Sequence, residues 1–79
     1  MPLKIFLSSS LRKYVSGYDP TRGVSFTVKG KRTVRDIYDQ MKIPDDKIKI
    51  IMVNGKSQSP DYILKGDERV GLFPPVGGG

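Results

Sequence analysis

Glu68-Arg69-Val70-Gly71-Leu72-Phe73-Pro74-Pro75-Val76-Gly77-Gly78-Gly79 closes the sequence, and the rest of the chain is read outward from it. Its first half predicts a strand, with Val70 and Leu72 on one face and Arg69, Gly71 and Phe73 on the other. Pro74-Pro75 stops that strand, because neither proline has an N–H for a ladder and both favour an extended polyproline form. A glycine run inside a chain reads as a linker. At the end of this sequence it points instead to reach without bulk. Six residues from Pro74 span at most roughly 20 Å. The last three have no Cβ and fit a channel too narrow for side chains. The expected organisation is a domain over residues 1–73 and a tail over 74–79 that presents the Gly79 carboxylate. Most chain ends fray without function, so the tail needs support from the remainder of the sequence.

Leu3 to Ser8 sets Leu3, Ile5 and Leu7 against Lys4, Phe6 and Ser8, the period of a half-buried strand. Ser10 is expected to cap a short helical turn, Leu11 to Val15, ended by Gly17. A turn cluster at Tyr18 to Gly23 leads to a second strand with Val24, Phe26 and Val28 inward. Lys29-Gly30-Lys31-Arg32 reads as a solvated turn.

Thr33 opens the clearest helix. Thr33 and Asp36 have capping-box spacing, with aspartate replacing the usual Glu or Gln. Val34, Ile37, Tyr38 and Met41 form one apolar stripe, and Ile43-Pro44 is expected to end the helix. A third strand is predicted over Lys47 to Val53, with Ile48, Ile50 and Met52 on the core side and Ile51 and Val53 on the other. Asn54-Gly55 signals a tight turn. Lys56 to Ser59 suggests a short returning strand, and Pro60 to Leu64 a brief helical turn before a corner at Gly66. Asp67 reads as structural.

A lone amphipathic helix must bury its stripe against a sheet face. With the first two strands as a hairpin, the first and last strands are expected to pair in parallel at the centre. The fold class is therefore α+β, a mixed sheet of four to five strands packed on one main helix. The expected core is Leu3, Ile5, Leu7, Val24, Phe26, Val28, Val34, Ile37, Tyr38, Met41, Ile48, Ile50, Val70 and Leu72. On the other sheet face Phe6, Ile51, Val53 and Phe73 are expected to lie partly exposed beside the tail. They either form a partner site or are covered by the Leu11–Gly23 connection.

Gly66-Asp67-Glu68-Arg69-Val70 followed by Phe73-Pro74-Pro75-Val76-Gly77-Gly78 resembles the C-terminal signature of the small ubiquitin-like sulfur carriers, the MoaD/ThiS family. Ser10-Leu11-Arg12 and Val53-Asn54-Gly55 extend the resemblance over most of the chain. The Phe-Pro-Pro segment is similar to the small subunit of molybdopterin synthase. A Val-Gly-Gly-Gly ending also resembles some thiamine-pathway carriers. The family's terminal pair is Gly-Gly, and here a third glycine follows the valine.

The resemblance implies a β-grasp fold and a carrier whose Gly79 is adenylated and converted to a thiocarboxylate for molybdopterin (molybdenum or tungsten cofactor) biosynthesis. In that reading Val76, Gly77 and Gly78 thread into a partner, Pro74 and Pro75 form a stiff spacer, and Phe6, Ile51, Val53 and Phe73 dock. The implied partners are a ubiquitin-activating-type enzyme using ATP and Mg, a sulfur donor, and a molybdopterin synthase large subunit or a thiazole synthase. The alternatives are a thiamine-type carrier and a ubiquitin-like modifier joined to lysine through Gly79.

Composition narrows the remaining classes. Cysteine and histidine are both absent, so no thiol nucleophile, disulfide or imidazole base is available, and any carried sulfur sits on the terminal carbonyl. No metal site, bound cofactor or catalytic residue is expected, and Asp45-Asp46 and Asp61 read as isolated loop carboxylates. No run approaches the ~20 apolar residues of a membrane helix, and Met1-Pro2-Leu3-Lys4 has no secretory layout. A cytoplasmic location is expected. The net charge of +6 suggests an anionic partner. Nucleic acid is disfavoured, because the aromatics other than Tyr14 and Tyr18 alternate into strands or the helix rather than forming a stacking platform.

Overall fold

Strict alternation at both ends of the chain brings its first and last strands side by side. The computed structural model describes residues 3–75, apart from the Ser9 side chain. Strand β1 (Leu3–Leu7) pairs antiparallel with β2 (Val24–Phe26) and parallel with the last strand (Arg69–Phe73). The expected hairpin and central parallel pair are both present. Between them lie β3 (Arg32–Thr33), helix α1 (Val34–Gln40), β4 (Ile50–Val53), β5 (Lys56–Ser57) and β6 (Ile63–Leu64), which makes the last strand β7. Among the described residues, five strands form a mixed sheet in the order β2-β1-β7-β4-β5, and β3 pairs with β6 apart from it. This is the ubiquitin-like β-grasp, one helix laid across a mixed sheet.

The helix starts where its capping chemistry dictates. Thr33 Oγ1 accepts the Asp36 N–H, and the Asp36 carboxylate accepts the Thr33 N–H. That second bond, to the charged form, holds the Asp36 carboxyl below its ordinary range. The helix ends earlier than Ile43-Pro44. Lys42 adopts a left-handed φ of 63°, its N–H donates to Asp39 O, and the Ile43 N–H reaches back to Tyr38 O. This is a Schellman closure with lysine where glycine is usual. It turns Ile43 into the core at 1% exposure.

Three expected elements differ. Pro60 to Leu64 is not helical: the Pro60 and Tyr62 carbonyls accept the Arg35 and Val34 N–H groups, two donors that the first turn of a helix leaves unmet. A turn at Pro60-Asp61, closed by the Tyr62 N–H on Ser59 O, supplies those carbonyls, and the Ile63-Leu64 that follow pair with β3 as β6. Ser10 is not a cap. The turn after β1 is a 3-10 helix over Ser9–Tyr14 that follows Ser8, with no side-chain cap. Lys47 to Lys49 is not strand either, because Asp45–Lys47 forms a second 3-10 turn and β4 begins only at Ile50.

The core gathers Leu3, Ile5 and Leu7 of β1, Val70 and Leu72 of β7, and Val34, Ile37 and Tyr38 of α1, as expected. Leu11, Ile43, Ile51, Val53 and Leu64 complete it. Burying each such side chain contributes about 1.5–3 kcal/mol before entropic costs. Val24, Phe26, Val28, Met41 and Ile48 pack against this cluster only partly buried, while Ile50 lies outside it. No helix of the described residues is long and apolar enough to cross a membrane.

Candidate functional site

The position of β7 between β1 and β4 determines where the chain leaves the sheet. Its entry is fixed by Glu68, a residue the sequence did not single out and which is 2% exposed. Its two carboxylate oxygens accept the backbone N–H groups of Lys65, Gly66 and Asp67 at 2.9–3.1 Å. Burial alone would push this carboxyl up, yet the backbone donors outweigh it and hold it below the usual range. Gly66 sits in this loop at φ 118°, a conformation that admits only glycine readily, as the expected corner requires. The exit is held on both flanks. The Ser8 N–H donates to Leu72 O, and the Lys49 N–H donates to Phe73 O at 2.7 Å. The strand is therefore in ladder contact up to Phe73, and Pro74-Pro75 leave it without a strand assignment.

The four expected docking residues divide between the two sheet faces. Register decides the membership. Ile51 lies opposite Leu72 and Val53 opposite Val70, both core positions. Side chains opposite one another share a face, so Ile51 and Val53 are buried at 4% and 3% and cannot dock a partner. Ile50, opposite Phe73, and Met52, opposite Gly71, take the outer face instead. Phe6 belongs to this face, opposite Gly71 in β1. The observed outer group is thus Phe6, Ile50, Met52 and Phe73. Ile50 and Phe73 are 41% and 37% exposed, and Phe6 and Met52 are half-buried.

Gly71 has a steric role here. A Cβ at this position would stand 3.2 Å from the Phe73 ring, so glycine lets that ring lie over the middle of the strand. Arg69 caps the other end of the patch, with its guanidinium carbon 4.8 Å from the Phe6 ring centroid. Part of the Leu11–Gly23 connection closes the flank. Tyr18 Oη accepts the Leu7 N–H at 2.7 Å, meeting a donor beyond the end of β2, and Gly23 abuts the Phe6 ring. Phe73 and Ile50 remain open beside the exit. Pro74 is half-buried and Pro75 exposed. Val76, Gly77, Gly78 and Gly79 lie outside the described residues.

The loop carboxylates are less isolated than their spacing suggests. Arg35 pairs with Asp61 and lies 3.5 Å from Asp45, and Tyr38, 1% exposed, donates its hydroxyl to Asp45. Burial, reinforced by the neighbouring carboxylate, pushes the Tyr38 hydroxyl up to about 12. The group ties α1 to the second 3-10 turn and to the segment before β6.

Comparison with known proteins agrees with the architecture. A family model described as Mut7-C ubiquitin matches residues 3–77. A search of curated proteins finds no match. Among solved structures, SAMP1 from Haloferax volcanii superposes with a TM-score of 0.70 at 24% identity, covering 98% of each chain. A second structure of that protein, small archaeal modifier protein 1, gives 0.71 at 22% identity, over 94% of this chain and 97% of the other. A Pyrococcus furiosus protein described as subunit 1 of a molybdopterin converting factor gives 0.69 at 23% identity, with the same coverage. At these identities the likeness carries the fold.

Proposed function

The chain belongs to the Mut7-C ubiquitin family, and on that premise we propose that it is a non-catalytic sulfur carrier charged at Gly79. A ubiquitin-activating-type partner binds ATP and Mg, and a Gly79 carboxylate oxygen attacks the α-phosphate and expels pyrophosphate. The acyl adenylate now has a good leaving group, which the carboxylate lacked. A persulfide sulfur displaces AMP, and thiol cleavage of the resulting S–S bond leaves the thiocarboxylate. This chain supplies presentation: Gly77 to Gly79 admit close approach of partner backbone, Val76 threads with them, and Pro74-Pro75 serve as a stiff spacer.

The observation that carries the reading is the exit of β7. A strand secured on both flanks to Phe73 leads directly into the tail, next to an open apolar face of Phe6, Ile50, Met52 and Phe73. The charging enzyme docks on this face, with Phe73 and Ile50 as the exposed anchors. Molybdopterin synthesis is the favoured destination, on the Phe-Pro-Pro segment and the likeness to a molybdopterin converting factor subunit. The acceptor is then a molybdopterin synthase large subunit. The likeness to SAMP1 favours a second reading, a modifier joined through Gly79 to a lysine amine. Both use one activated terminus.

Chain-dependent exchange of labelled pyrophosphate into ATP, with the activating enzyme of the same host, tests the shared step. We expect exchange with the whole chain and none after deletion of Gly78-Gly79. Exchange that survives the deletion contradicts the reading. The mass of the chain isolated from its host then separates the two fates, oxygen replaced by sulfur for the carrier and added protein mass for the modifier.

A further inference from the structure

Lysines stand beside the point at which the chain leaves the sheet. Lys13 follows Leu11 in the 3-10 turn after β1, Lys47 closes the 3-10 turn after α1, and Lys49 donates its N–H to Phe73 O. Lys13 and Lys47 line a groove of about 360 Å³ together with Tyr14, Asp46, Pro74 and Pro75. All three lysines are exposed. The ion pairs of the described residues use Arg22 and Arg35 and none of these lysines. Asp45 is turned to Tyr38 and Arg35, which leaves Asp46 as the carboxylate in the groove wall. Two cations, Lys13 and Lys47, therefore meet one anion in the groove beside Pro74-Pro75, with Lys49 joined to the strand exit through its backbone, in a chain of net charge +6.

We propose that Lys13, Lys47 and Lys49 form a cationic collar that docks against an acidic protein surface surrounding the channel that takes residues 76–79. The inference rests on the carrier reading and names the chemistry of the partner. The collar borders the exposed Phe73 and Ile50, so an apolar centre with a charged rim is presented as one surface, the usual anatomy of a protein interface. Rim charges of this kind steer encounter and set register, and they act chiefly on the association rate. A nucleic acid fits the collar less well. Its cations are lysine point charges without the guanidinium fork that grips phosphate in two bonds. The aromatic among them, Tyr14, is half-buried with Lys13 Nζ already 5.5 Å from its ring centroid, so it offers no free face for a base.

The test is pyrophosphate exchange by the activating enzyme of the same host, measured against carrier concentration at low and high salt. The double variant Lys13→Glu/Lys47→Glu is expected to raise KM about tenfold and leave kcat within about twofold, because rim charges affect encounter rather than chemistry. Raising the salt should increase the wild-type KM and leave that of the double variant nearly unchanged. The charge-retaining Lys13→Arg/Lys47→Arg should behave as wild type, and an unchanged unfolding midpoint shows that each variant folds. Exchange whose KM ignores both salt and charge reversal overturns the collar while the carrier reading stands. So does saturable binding of a single-stranded oligonucleotide that the reversal abolishes while KM stays put. Absence of wild-type exchange at every salt concentration contradicts the carrier reading and the collar together.

Discussion

Single residues carry two of the fold's less visible commitments. Glu68 stands two residues before Val70 at the entry to β7, in the charged stretch Gly66-Asp67-Glu68-Arg69. Its burial follows from three converging backbone N–H groups, and no periodicity records the direction of an N–H. Replacing it by glutamine turns one acceptor into a donor facing those N–H groups. We expect Glu68→Gln to cost about 1–3 kcal/mol at neutral pH in urea unfolding. Because the folded carboxyl lies below its ordinary value of 4.5, its stabilisation is complete above that value and is lost as pH falls through the folded value. The gap between wild type and Glu68→Gln should therefore narrow in acid. A pH-independent gap would mean that the carboxylate charge is irrelevant. Lys42 is the converse case, a side chain held at φ 63° where glycine is unstrained. Lys42→Gly is expected to stabilise by about 1 kcal/mol, seen as a rise of roughly 4–8 °C in the unfolding midpoint.

At the level of elements, legibility followed the strength of the local signal. The capping pair Thr33 and Asp36, the stripe of α1 and the alternation of β1 and β7 each had one consistent reading, and each formed as read. Lys47 to Val53 had two. Lys-Ile-Lys-Ile alternates as though Ile48 and Ile50 face inward, but the chain there is a 3-10 turn and its exit. The strand proper, Ile-Ile-Met-Val, is apolar at every position, so pattern alone cannot assign its faces. Pairing with β7 makes the choice, and a one-residue slip exchanges the whole set. This is why the sequence pattern points to Ile51 and Val53 as docking residues and to Ile50 as core, and the register reverses both.

The corrected assignment predicts opposite behaviour for neighbours. Ile51→Ala should cost about 2–5 kcal/mol of stability and affect partner binding only through folding. Ile50→Ala should cost less than about 1 kcal/mol and raise KM for the activating enzyme. Equal destabilisation by the two would refute the register. Thr33→Ala should cost about 1 kcal/mol through loss of the cap, measured by the same unfolding curves.

For the molecule as a whole, the β-grasp follows from an order of strands and one helix that leaves few alternatives, since a lone helix needs a sheet to cover. The parallel pairing of the first and last strands then places the end of the last strand at the sheet margin, where an apolar face and a group of lysines meet. The end of β7 was legible from the two prolines that follow Phe73. The surface around it was not, because Lys13 and Lys47 come together only through two 3-10 turns that lack strong sequence marks.

The central claim is that this domain presents Gly79 to be charged by another protein, and intact mass after reaction tests it most directly. The chain is incubated with the activating enzyme of its host, ATP, Mg and a persulfide donor under reducing conditions. The account predicts replacement of one oxygen by sulfur, located at Gly79 by fragmentation and abolished by an extra residue appended after Gly79. An unmodified carboxylate under conditions where the same enzyme consumes ATP with its own carrier would contradict it.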